Sequence, residues 1–185
     1  MKRTLLPANK SNAIPEPYSH GYLYGSSSYA LVDAVYPADL QAAARAGTLK
    51  PNDDTAQNPS YAFAAGGAIS TADDLAIWMR ALVGGKLFDV DYQRQWLNSL
   101  EPQDPSKPLG QKYGYGISQI TFGPNSVYFH GGEMPDYNSF MGYDPVNDVT
   151  LVIWTNLTLS LDGQPTANTI MLKMLDQIYT VSPLQ

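Results

Sequence analysis

The hydrophobic period of this chain changes once, from helical to strand spacing, across a proline-rich stretch at Pro102, Pro105 and Pro108. A single change of that kind segregates helices from strands along the chain, which is the α+β arrangement rather than alternating β-α-β units. Before the change, Leu75, Trp78, Met79 and Leu82 recur at i, i+3, i+4 and i+7 behind a capping pair, Thr71 with Asp74, and Gly84-Gly85 stops the helix. Tyr92, Trp96 and Leu100 mark one face of a second helix starting near Asp89. After the change, residues 113–122, 126–130, 138–143 and 149–155 read as short strands, and the breaks at 123–125 and 144–148 suit hairpins. An antiparallel sheet is therefore expected. Ile170, Met171, Met174, Leu175, Ile178 and Tyr179 then form the apolar stripe of a C-terminal helix able to lie across it.

Residues 1–65 read differently. Pro7, Pro15, Pro17, Pro37, Pro51 and Pro59, with the run Gly25-Ser26-Ser27-Ser28, leave room for one weak helix near 38–46. Connections in compact domains run about 4–6 residues, so an irregular lead of this length is expected to wrap over other structure. The chain thus divides into a wrapping segment, 1–65, and an ordered part, 66–185, holding the helices, antiparallel strands and C-terminal helix.

Composition narrows the function. The 185 residues can bury about 70% of their unfolded surface. A net charge of −6 without any Lys/Arg cluster removes the footprint of a nucleic-acid binder. With no cysteine and two histidines in no helical pair, a zinc site is not expected, and no metal or cofactor is assigned. Residues 144–148 lack the glycine and distal glutamate of a calcium loop and read as a hairpin turn. No apolar run reaches the roughly 18 residues of a membrane span, and the N-terminus shows no signal-peptide core.

His130 ends the run Val127-Tyr128-Phe129-His130 and precedes Gly131-Gly132. Glycines directly after a strand-borne histidine let a ligand approach the strand edge. On spacing alone the commoner reading is a hydrogen-bonded structural histidine before a glycine turn. Nucleophile patterns are missing: the chain contains no Gly-x-Ser-x-Gly, no Ser-x-x-Lys and no Tyr-x-Asn.

Several segments in order resemble one family. Ala65-Gly66-Gly67-Ala68-Ile69-Ser70-Thr71-Ala72-Asp73-Asp74-Leu75 is similar to the Ala-Gly-Gly-x-x-Ser-Thr-x-x-Asp-Leu segment of class C β-lactamase-like enzymes, DD-peptidases and related esterases. Tyr113-Gly114-Tyr115-Gly116-Ile117 resembles their Tyr-Gly-Leu-Gly-Trp strand, and Phe129-His130-Gly131-Gly132 stands where they carry Lys-Thr-Gly, His-Thr-Gly or Trp-Gly-Gly. Residues 135–140 resemble their Pro-Gly-Phe-x-Ser turn, with Asp136 in place of the glycine; residues 152–156 resemble the next strand, and Met1-Lys2-Arg3-Thr4 their internal Leu-Gly-Met-x-x-Thr.

The resemblance implies a sheet packed against a helical region with the active site between them, of which this chain would supply the C-terminal half. It implies acyl-enzyme chemistry by a serine on an ester or amide, as in an esterase, DD-carboxypeptidase or β-lactamase, with the nucleophile on an N-terminal half. It places His130 at the reacting centre, moving a proton or binding a substrate carboxylate. Gly131 and Gly132 would line the substrate, and the backbone N–H of Glu133 would serve in the oxyanion hole. Gly131 replaces the hydroxyl usual in lactamases and peptidases, which tilts the expectation towards an esterase or amidase. The family commonly acts outside the cytoplasm. The alternative function is a non-catalytic module that self-associates or binds a partner chain through open sheet edges.

Overall fold

The computed structural model describes residues 1–8, 11–32 and 34–181. Six strands form one antiparallel sheet in chain order: β3 (Glu101–Pro102), β4 (Lys112–Tyr113), β5 (Ser118–Phe122), β6 (Asn125–Glu133), β7 (Asn138–Asp144) and β8 (Val149–Thr155). The turns dictate this meander. Gly123, at φ 58°, opens the two-residue turn between Phe122 and Asn125, where a primed hairpin turn needs a positive φ. Between β7 and β8 the buried Asp144 carboxylate accepts from the N–H groups of Val146 (2.9 Å) and Asn147 (3.3 Å) and from the Tyr179 hydroxyl (2.8 Å).

The run 113–122 is not one strand. Gly114 N–H donates to Ile117 C=O at 2.8 Å and Gly116 adopts φ 70°, so the chain reverses there and Tyr113 pairs with Ser118. The glycines that the strand reading passed over are the turn itself.

Side-chain alternation gives the sheet two apolar faces. On one, Val127, Phe129, Phe140 and Leu151 pack against Met171 and Leu175 of α5 (Thr166–Asp176). On the other, Ile117 and Tyr143 join Met79, Leu82 and Val83 of α3 (Ala72–Val83) and Trp96 of α4 (Val90–Asn98). Both internal helices start where the sequence indicates: Thr71 Oγ1 accepts from Asp74 N–H at 3.3 Å, and Asp89 Oδ1 from Tyr92 N–H at 2.9 Å. The architecture is α+β, with the C-terminal helix on one face of the antiparallel sheet and a helical region on the other.

The leading residues hold β1 (Tyr22–Leu23) paired with β2 (Asn52–Asp53), the short helix α1 (Ser27–Leu31) and α2 (Ala38–Arg45). Contacts distant in sequence attach them to the rest. The buried Asp74 carboxylate accepts from Lys2 N–H (3.1 Å), Arg3 N–H (2.7 Å) and the Thr4 hydroxyl (2.8 Å), tying the first residues to the start of α3. Tyr22 N–H donates to Asn156 C=O at 2.9 Å, and Ala30 and Tyr36 share a small core with Leu159 beyond β8.

Leu175 is fully buried between α5 and the sheet. Truncating Leu175→Ala should cost about 2–5 kcal/mol in chemical denaturation; an unchanged midpoint would show that α5 does not close that face.

Candidate active site

β6 carries the candidate site. Alternation turns Val127 and Phe129 towards α5, and Tyr128 and His130 towards the face shared with α3. The register between β5 and β6 ends at the Ser118–Phe129 pair, while β6 and β7 stay paired from Tyr128–Tyr143 to Glu133–Asn138. Residues 130–133 therefore run on past β5, leaving one edge of β6 at the end of the sheet.

His130 is half-buried and held at both ring nitrogens. Nδ1 lies 2.5 Å from the Gly131 carbonyl oxygen, and Nε2 lies 3.2 Å from the Tyr113 hydroxyl. The two rings meet edge to face with centroids 5.9 Å apart. Tyr113 reaches His130 because the 114–117 turn sends β4 back along β5.

Gly131 and Gly132 stand opposite Phe140 and Ser139. A Cβ on Gly132 would lie 2.5 Å from Ser139 Oγ, so glycine permits the close approach here. The Gly132 carbonyl accepts from Asn138 Nδ2 at 3.1 Å and Ser139 Oγ at 3.4 Å, both from β7. In a trans peptide the following N–H points the opposite way, so the Glu133 N–H is aimed towards the edge that β5 has left. The carboxamide of Asn138, a fully buried side chain, also accepts from Ala167 N–H (2.7 Å) and Asn168 N–H (3.3 Å) at the start of α5.

The turn after Glu133 closes through Met134 N–H to Tyr137 C=O at 2.8 Å and seats Asp136 at 3% exposure. Asp136 packs against Gly21, where an added Cβ would lie 2.5 Å from Asp136 Oδ2. Burial pushes the Asp136 carboxyl up to about 6; its own backbone N–H opposes this and the charges of Asp54 and Asp53 add to it. Asp53, by contrast, is held down to about 2 by hydrogen bonds from Thr55 and then His20, whose Nδ1 is 2.7 Å away. The Tyr137 hydroxyl donates to Ser19 C=O at 2.5 Å, and the Tyr61 hydroxyl to Met134 Sδ at 3.5 Å, so leading residues cover this end of the sheet.

The structure thus gathers His130, Gly131, Gly132 and Glu133 along one strand edge. Sequence reasoning missed Tyr113, taken as a mere strand residue, and Asn138, read only as the start of a strand and part of the turn before it. The Tyr-Gly-Tyr-Gly spacing was the signal for Tyr113: glycines so close to a tyrosine mark a reversal rather than a strand.

The fold has counterparts among known proteins. The beta-lactamase family model matches residues 16–174, and the chain belongs to that family. The fold is similar to a D-stereospecific amidohydrolase from Streptomyces sp., with 22% identity, TM-score 0.71, and coverage of 98% of this chain and 45% of that one. It is also similar to the D-amino acid amidase from Ochrobactrum anthropi SV3 in complex with L-phenylalanine amide, with 21% identity, TM-score 0.69, and coverage of 99% and 48%. At such identities the likeness is one of fold, a beta-lactamase-family hydrolase fold, and the chain spans about half the length of these structures. A comparison with curated proteins found no match. Among the described residues, no helix is long and apolar enough to cross a membrane.

The raised Asp136 carboxyl gives a signed prediction. The folded chain binds this proton more tightly than the unfolded chain, so the stabilisation is full below the ordinary value of 3.8 and is lost as pH rises through about 6. Asp136→Asn should remove that loss: thermal unfolding of the wild type should weaken from pH 4 to 7 by about 2 kcal/mol more than that of the variant. Parallel pH curves for the two chains would refute a buried, destabilised carboxylate.

Proposed function

We propose that this chain supplies the C-terminal half of the active site of a serine hydrolase that acts by acyl-enzyme chemistry on an ester or amide. The observation that carries the reading is the β6 edge, where a histidine, two glycines and an outward-aimed N–H follow one another in a beta-lactamase-family fold. In this reading a serine from a Ser-x-x-Lys element attacks the substrate carbonyl, helped by a Tyr-x-Asn element. Both elements are absent from the sequence, so the chain alone is inactive.

The Glu133 N–H then donates to the developing oxyanion. The Gly132 carbonyl, fixed by Asn138 and Ser139, supports that role because it orients the shared peptide plane before substrate arrives. Gly131 and Gly132 leave space for the substrate to lie along β6, and His130 assists proton transfer or meets a substrate carboxylate. Gly131 offers no hydroxyl to a β-lactam or peptide carboxylate, which favours a simple ester or an amide. The names of the structural neighbours, an amidohydrolase and an amino acid amidase, point the same way. In this reading small amides and esters are the substrates, with the amide first.

The test is hydrolysis of p-nitrophenyl acetate, nitrocefin and phenylalanine amide by the chain alone and by the chain mixed with a polypeptide bearing the Ser-x-x-Lys and Tyr-x-Asn elements. Activity is expected only in the mixture, and His130→Ala should lower it by about 10²–10⁴-fold, the range for a general acid–base group. A folded, associated mixture without activity would favour a non-catalytic interaction module. Hydrolysis by the chain alone would overturn the two-half reading.

A further inference from the structure

The contacts of His130 determine more than its position. A backbone carbonyl can only accept, so the 2.5 Å contact to Gly131 O requires the proton on Nδ1. In the neutral ring Nε2 is then the bare, basic nitrogen, and the Tyr113 hydroxyl 3.2 Å away donates to it. A neutral His130 in this state has no N–H left for a substrate carboxylate. Tyr113 is 40% exposed and His130 half-buried.

We propose that Tyr113 is the proton-relaying partner of His130: with the Gly131 carbonyl it holds the neutral imidazole as the Nδ1–H tautomer and bonds to Nε2, so that His130 exchanges protons through the Tyr113 hydroxyl. The protons balance along this path. A group that gives up a proton passes it to the Tyr113 oxygen while the Tyr113 proton moves to Nε2, leaving tyrosine intact and an imidazolium whose Nδ1–H remains on Gly131 O. The reverse transfer restores the starting state. Two roles open to His130, proton transfer and carboxylate binding, are thereby separated: the neutral ring serves the first. The rings also pack edge to face, so removing the hydroxyl and removing the ring are different perturbations.

The catalytic consequence rests on the acyl-transfer reading above; the state of the ring does not, and it can be measured on the chain alone. The protein has only two histidines, and His20→Gln assigns the other. Nitrogen-15 spectra of the neutral imidazole should show a protonated Nδ1 and a bare Nε2 for His130. Tyr113→Phe, which keeps the packing ring, should shift the Nε2 resonance and raise the rate at which diethyl pyrocarbonate modifies His130 severalfold, with His20 unchanged as the internal reference. In a reconstituted enzyme the same variant should lower kcat with little change in KM. A protonated Nε2 in the wild type, or equal modification rates in wild type and Tyr113→Phe, would overturn the proposal even if the mixture hydrolyses its substrate. A correct tautomer and faster modification in an inactive mixture would uphold the pairing and sink the acyl-transfer reading instead.

Discussion

Asn138 stands where β6, β7 and α5 meet, and its one carboxamide serves all three. The oxygen takes the first N–H groups of α5, which would otherwise lack partners, and the nitrogen holds the Gly132 carbonyl. Because the side chain is fully buried, each of these bonds replaces one that water would have made, and losing either end would leave a polar group stranded in the core. Met134 and Tyr137 exchange both backbone bonds, so by strand alternation Gly132 faces β7 and the Glu133 N–H faces away from it; the Asn138 amide joins that edge to the start of α5.

The β6 edge carries the Tyr113 hydroxyl, the His130 imidazole, backbone amides and, at its end, Glu133. The carboxylates of Asp53, Asp54 and Asp136 lie beyond the turn, against residues 18–23 and 52–55 of the leading segment. Asp53 is well solvated and bonded to Thr55 and His20, so it stays ionised; Asp136 is buried and faces the other two, so its ionisation is resisted. Packing Asp136 against Gly21 joins the leading segment to the site end of the sheet, and the cost is a carboxyl that destabilises the fold once it is charged.

The leading residues are better described by what they touch than by their regularity. Asp74 gathers the first turn of chain onto α3, Asn156 takes Tyr22, and Leu159 packs with Ala30 and Tyr36. Each contact joins residues far apart in sequence, which local spacing cannot reveal. The same holds for Tyr113 and His130, brought together only after a turn, a register and a twist are in place.

The sequence by itself determined the elements whose signals are local. The Thr71-capped helix with Met79 and Leu82 on its buried face, the buried Met171 and Leu175 of α5, and the hairpins at 123–125 and 144–148 are legible because a helix or a turn is decided by residues within a few positions of one another, whereas Trp78, Ile170 and Met174, assigned to the same stripes, are exposed. Its ordered motifs also identified the family. The tertiary structure alone decided that residues 114–117 reverse the chain, that Asn138 couples α5 to Gly132, that Asp136 is buried against Gly21, and that Tyr113 caps His130. These depend on which strands become neighbours and in what register, and register is settled by the burial of whole faces rather than by any short stretch of sequence.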